Sequence, residues 1–160
     1  MIPSLNQLSA QVAEILSTTH QTVATAESCT GGLLSHVLTG VSGSSKYFIG
    51  GVVAYSNQIK EAVLGVHSAT LKNFGAVSET TAREMAEGVR LKFQSDIGLS
   101  TTGIAGPTGG TPEKPVGLVW IGISTLDKTT AYECHFDADR EGVKILAVDR
   151  LLRVLIEEIS

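Results

Sequence analysis

Cysteine is scarce in this sequence: Cys29 and Cys134 are the only two in 160 residues, and neither belongs to a C-x-x-C arrangement. That excludes a disulfide-stapled secreted framework and reads as the reduced thiols of a cytoplasmic protein. Long apolar runs are missing too, so no segment reads as a membrane span. The start, MIPSLNQLSAQVAEILSTTH, has no basic stretch and carries Glu14 inside an apolar pattern, which argues against a secretory signal. Basic charge is in short supply, with 12 Lys and Arg against 16 Asp and Glu and a net charge of −4. A broad nucleic-acid footprint needs clustered Lys and Arg and is not expected, although a local anion site remains compatible. The four histidines, His20, His36, His67 and His135, show no H-x-x-x-H spacing, and no run of Asp suggests a calcium loop. Neither a metal nor a cofactor is therefore expected.

What is present describes a globular domain. Apolar residues make up 42% of the chain and charged residues 18%, and no internal repeat or domain boundary is visible, so residues 1–160 read as one domain. A chain of this length buries roughly 70% of the surface it exposes when unfolded. Leu5, Leu8, Val12, Ile15 and Leu16 recur at helical spacing. TVATA reads as a strand, GGLLSHVLTG as a helix closed by Gly40, and KYFIGGVVAYS as a strand. The Gly50-Gly51 pair in that strand predicts a bulge or a close backbone approach. NQIKEAVLGV reads as a short helix, and Ser78 as the cap of a helix with Met85, Val89 and Phe93 on one stripe. DIGLSTTGIAG reads as a strand and PTGGTPEKP as an exposed loop. VGLVWIGIS and TTAYECHF form a hairpin-like pair, and a last helix from Arg140 buries Val148, Leu151, Leu152, Leu155 and Ile159. Helices alternating with strands, plus one late hairpin, predict an α/β fold with a mixed sheet covered by helices.

The chemistry concentrates in TVATAESCTGG, residues 22–32, where a strand meets a helix start. Ser28 or Thr30 can serve there simply as an N-cap. The same geometry also suits a nucleophile, because backbone N–H groups around Thr30, Gly31 and Gly32 would converge on an oxyanion and the glycines leave room for approach. A serine nucleophile needs a base. His135, near Asp137, would serve only if the fold brought it over. Lys60 in YSNQIK falls in the first turn of a helix, where the dipole and burial both disfavour an ammonium, so it can act as a base with Tyr55 as relay or orienter. A solvated surface lysine is the alternative. GIAGPTGG lacks the G-K-[ST] ending of a P-loop and is no G-x-G-x-x-G fingerprint. It reads either as a flexible loop or as a backbone phosphate cradle.

Five ordered stretches, TVATAESCTGG, GSSKYFIGGVVAYSNQIKEAVLGV, GAVSETTAREMAEGVR, TTGIAGPTGG and KPVGLVWIG, closely resemble the CinA C-terminal domain family, the nicotinamide-nucleotide amidohydrolases. The resemblance runs from about Val23 to Trp120 and continues more weakly to the last helix. It implies a CinA C-terminal-like fold that deamidates nicotinamide mononucleotide to nicotinic acid mononucleotide and ammonia, in pyridine nucleotide recycling, with serine and no metal. By motif position it implies Ser28 as nucleophile, with Tyr55 and Lys60 assisting. Thr102, Gly103 and Gly106 of the T-G-I-A-G-P turn, together with Thr30, Gly31 and Gly32, are expected at the substrate, and Arg140 at its phosphate. Glu27 and Thr30 are second choices as orienters. A homodimer or larger homo-oligomer is implied, with a small-molecule substrate and neither nucleic acid nor membrane as partner. The run FDADREGVK departs from the family pattern, having Ala138 in place of a glycine and Lys144 in place of a second arginine, and a lysine lacks the planar fork of an arginine. Two other functions fit these residues: a Ser/Lys amidase for another small amide, and a binding module that holds a pyridine nucleotide without turning it over.

Overall fold

In the computed structural model of the chain, residues 3–160 are described. Five strands form one mixed sheet in the order β2-β1-β3-β4-β5. They are β1 (Val23–Glu27), β2 (Phe48–Val53), β3 (Ile97–Gly103), β4 (Leu118–Ser124) and β5 (Thr129–His135). Strand β1 pairs in parallel with both β2 and β3, while β3 to β4 and β4 to β5 are antiparallel. Six α-helices accompany the sheet: α1 (Pro3–Thr19), α2 (Leu33–Thr39), α3 (Asn57–Leu64), α4 (Ser68–Phe74), α5 (Glu79–Phe93) and α6 (Arg140–Ile159). This is the mixed, helix-covered α/β domain that the alternating pattern predicts.

Two apolar clusters lie on the two faces of the sheet. On one face Val23, Leu99, Ile121 and Ile123 pack with Val12 and Leu16 of α1, Leu34 and Leu38 of α2, and Val148, Leu151 and Leu155 of α6. On the other, Ala24 and Ala26 pack with Leu64 at the end of α3 and with Met85 and Val89 of α5. All five residues of β1 are consequently buried, as a strand covered on both sides must be. The predicted helical stripes are these contacts, although Ile15 and Ile159 are only half-buried.

Strand β2 is continuous through its glycines, yet both expectations for them hold. Its register against β1 shifts between the Val23 and Ala24 pairs, so that Ile49 is the bulged residue. A Cβ on Gly51 would collide with the Thr25 hydroxyl and come within 2.8 Å of the Ser35 hydroxyl. Helix α4, seven residues long, escapes the periodicity reading because it is too short to show a stripe.

The connections position the site. From β1 the chain returns through α2 to β2 on one side, then crosses through α3, α4 and α5 to β3 on the other side of β1. The parallel strands thus diverge around β1, and a crevice opens beyond their carboxyl ends, where ligands bind in open α/β sheets.

Candidate active site

Ser28 directly follows β1, and its N–H donates to the Thr101 carbonyl of β3 at 2.9 Å, which pins the turn to the neighbouring strand. The residue is only 8% exposed. Contrary to the capping reading, neither Ser28 nor Thr30 caps α2. The N-cap is Gly32, with φ of 104°, and it has no side chain to do the work. The carboxylate of Glu27, fully buried, does it instead: it accepts from the N–H of Gly32 at 3.1 Å, of Leu34 at 3.0 Å and of Ser35 at 2.8 Å. The hydroxyls of Ser35 and Thr30 also donate to it, at 2.7 and 2.6 Å. Five donors on one carboxylate satisfy the orphan N–H groups that a helix start leaves open.

Lys60 lies in the first turns of α3, whose cap is the Ser56 hydroxyl. Helical side chains lean toward the N-terminus. The lysine follows this rule and carries its Nζ back to the start of its own helix, where it donates to the carbonyls of Ala54 at 2.9 Å and Tyr55 at 3.2 Å. Its third neighbour is Ser28 Oγ at 3.1 Å. The side chain is 1% exposed, and burial pushes its pKa below the ordinary 10.5. Nζ donates to all three oxygens; in the neutral form two hydrogens would serve the carbonyls and the lone pair would be left for the serine proton. Ser28 and Lys60, paired on paper by their residue types, are thus in contact.

The adjacent Cys29 is also buried, and burial drives its thiol up to about 12, with the Glu27 carboxylate adding to the rise. A thiol held protonated is a poor nucleophile. His135 lies at the end of β5, exposed, with its Nε2 2.6 Å from Glu133 Oε1, and takes no part in the site.

Of the expected residues, Ser28, Tyr55, Lys60, Thr102, Gly103 and Arg140 line a cavity of about 200 Å³, while Thr30, Gly31, Gly32 and Gly106 do not. Three of them differ from expectation in what they touch. The phenol of Tyr55, 63% exposed, accepts from Arg140 Nη2 at 3.1 Å, so its tie to Lys60 runs through its backbone carbonyl and not its hydroxyl. Thr30 is buried, its hydroxyl shared between Glu27 and Thr101, and it does not line the cavity. Gly106 stands behind the wall and lends its carbonyl to Arg140 Nη1 at 2.7 Å. The expected oxyanion donors fare unevenly: the Gly31 N–H is given to the Ser28 carbonyl and the Gly32 N–H to Glu27, whereas the Thr30 N–H has no acceptor among the described residues. Lys144 hangs over the turn, 3.8 Å from Glu141 and 4.0 Å from where a Cβ on Gly31 would stand.

Asn57, Ala76, Val77 and Ala105 also line the cavity and are absent from the sequence reading. Asn57 had a legible signal, standing three residues before Lys60 on the same helix face. Ala76 and Val77 had none, since the turn before α5 reaches the site through the Thr102 hydroxyl donating to the Ala76 carbonyl at 2.7 Å.

Comparison with known proteins adds the lineage. The sequence model of the CinA C-terminal domain matches residues 5–159. The chain belongs to this family. A putative competence-damage inducible protein of Thermoanaerobacter pseudethanolicus is 51% identical over 144 residues, covering 90% of this chain and 35% of the relative. A CinA-like protein of Salinibacter ruber is 53% identical over 133 residues, covering 83% of this chain and 32% of the relative. The chain thus spans about a third of the length of the curated relatives it matches. Solved structures match nearly end to end. The competence/damage inducible protein CihA of Agrobacterium tumefaciens superposes with a TM-score of 0.95 at 36% identity, covering 98% of this chain and 96% of that one. A CinA superfamily protein of Escherichia coli gives 0.93 at 32% identity, covering 96% and 90%. Among the described residues of this CinA domain no helix is long and apolar enough to cross a membrane.

Proposed function

We propose that this CinA domain is an amidohydrolase that converts the carboxamide of nicotinamide mononucleotide to the carboxylate and releases ammonia, with Ser28 as nucleophile and Lys60 as base. One observation supports this most: a lysine amine that is buried, lowered in pKa and 3.1 Å from a serine hydroxyl on the wall of a cavity. Such a pair has no structural purpose that an apolar pair would not serve better, since burying an ammonium is costly.

In the acylation step the Ser28 oxygen bonds to the carboxamide carbon and its proton passes to the Lys60 amine. The resulting ammonium protonates the leaving nitrogen as the C–N bond breaks, and ammonia departs. Water then attacks the acyl-enzyme, giving a proton to Lys60, which returns it to Ser28 as the acid leaves. Arg140, already fixed through Gly106 and Tyr55, keeps three of its five N–H donors for the substrate phosphate at the cavity mouth. Assembly into a homo-oligomer and a cytoplasmic setting belong to the same proposal. Both cysteines being free and buried is consistent with that setting.

The test is ammonia and acid formation from nicotinamide mononucleotide, its riboside, free nicotinamide and unrelated small amides. The mononucleotide should be hydrolysed with the highest kcat/KM, because phosphate binding positions a distant amide. Faster release from an unrelated amide would assign a different amidase, and binding of the mononucleotide without turnover would assign a binding module.

A further inference from the structure

An attacked carboxamide develops negative charge on its oxygen as the serine oxygen bonds to carbon, and that charge needs donors fixed in advance. Gly31 and Gly32 have already spent their N–H groups inside the turn, which leaves the backbone N–H groups of Cys29 and Thr30 there and calls for a side-chain donor beside them. Of the polar side chains on the cavity wall, Arg140 keeps free N–H groups, which the amidohydrolase reading gives to the phosphate, and three others are engaged. Lys60 is occupied by three oxygens, the Thr102 hydroxyl donates to Ala76, and the Tyr55 hydroxyl holds Arg140. Asn57 differs from them: it lines the same cavity, and its side-chain amide has no hydrogen-bond partner among the described residues. It opens α3, with Ser56 performing the cap, so the helix start does not require its amide. It stands three positions before Lys60, which places the two side chains as neighbours on one face.

We infer that Asn57 is a further catalytic residue, its Nδ2–H donating to the oxyanion that forms on the substrate carboxamide. The inference rests on the amidohydrolase reading above. As the Ser28 Oγ–C bond forms, the carbonyl electron pair moves to oxygen and the serine proton moves to Lys60 Nζ. Asn57 transfers nothing and only stabilises the charge through its N–H. A cavity of about 200 Å³ is small enough to keep a group bound against Ser28 within reach of its other walls.

Steady-state kinetics on Asn57→Ala and Asn57→Asp test this, using whichever amide the parent chain hydrolyses best. Loss of one oxyanion donor lowers kcat by about 10²–10³-fold, and because the ground-state carbonyl is held less tightly, KM should change only a few-fold. Asn57→Ala should retain the pH limb of Lys60, which separates a lost donor from a disturbed base. Asn57→Asp keeps the shape, cannot donate when ionised, and adds a negative charge favoured in the first turn of a helix. It should therefore melt no lower than the parent while still losing kcat, a combination that a purely structural role cannot produce. Activity of either variant within about 3-fold of the parent, or a rise confined to KM, would overturn the assignment. A parent that hydrolyses no amide would remove the amidohydrolase reading and this inference together, whereas an active parent with unimpaired variants removes this inference alone.

Discussion

Two serines cap helices in this domain, and a third, on the turn before α2, does not. Ser56 accepts from the Ile59 N–H at 3.2 Å and Ser78 from the Thr81 N–H at 3.2 Å, the ordinary work of an N-cap. Ser28 stands earlier in the turn before α2, ahead of the Gly32 N-cap, and makes no such bond: Glu27 serves the helix start, and the Ser28 hydroxyl meets Lys60. The difference lies one residue upstream of the nucleophile. A carboxylate that caps from the end of a strand frees the following side chain, and a serine without capping duty next to a buried amine has a proton to give.

The sharpest way to break this comparison is to remove the amine. Lys60→Met keeps the stem and loses the base, and kcat should fall by about 10²–10⁴-fold. Lys60→Arg should not restore it, since a guanidinium stays protonated. The parent's pH profile carries the same information. Because burial lowers the Lys60 pKa, the neutral, active form persists below the ordinary 10.5 and is lost as pH falls through the lowered value. The parent's kcat/KM should therefore drop on the acid side along a limb set by Lys60, and the residual rate of Lys60→Met should lack that limb. An active Lys60→Arg enzyme would mean that the group supplies charge and accepts no proton.

Glu27→Gln tests the upstream cause. The five donors that meet the carboxylate need acceptors, and a glutamine offers one oxygen and turns an NH₂ on the others. Each buried donor left open costs about 1–3 kcal/mol, so the variant should lose at least that much in denaturant unfolding. Its kcat should also drop, because the turn that carries Ser28 toward Lys60 loses part of its anchor. A variant that loses stability and keeps its kcat would show that the turn holds Ser28 without its carboxylate.

Much of the fold was legible because its signals are local. Periodic apolar residues mark α1, α5 and α6, a hairpin-like spacing marks β4 and β5, and the two glycines of β2 report the bulge and the close approach of Thr25. At the site, Ser28, Lys60 and Arg140 could be read from ordered motifs. What could not be read was who satisfies whom across the fold. Glu27 looks like the last residue of a strand until three N–H groups of α2 are seen to converge on it. The Tyr55 hydroxyl looks like a partner for Lys60, five residues away, and is taken by Arg140, 85 residues away. Ala76 and Val77 reach the cavity only because β3 and the α4 to α5 turn meet.

The smallest expected effect belongs to the serine that still caps. Ser78 accepts from Thr81 N–H and donates to the Gly75 carbonyl, and it does not line the cavity. Removing an N-cap hydroxyl costs about 1 kcal/mol. In a domain of this size that lowers Tm by roughly 2–4 °C. Ser78→Ala should show that loss with kcat within about 2-fold of the parent, since its hydroxyl faces Thr81 and no reacting atom. Ser28→Ala should give the reverse, with turnover abolished and Tm nearly unchanged, because no backbone N–H depends on the Ser28 hydroxyl and Lys60 keeps its two carbonyl partners. Measuring melting and turnover on both variants separates the two duties of one residue type. A large loss of stability in Ser28→Ala would mean that its hydroxyl supports the turn after all, and the contrast between the capping and the released serine would collapse.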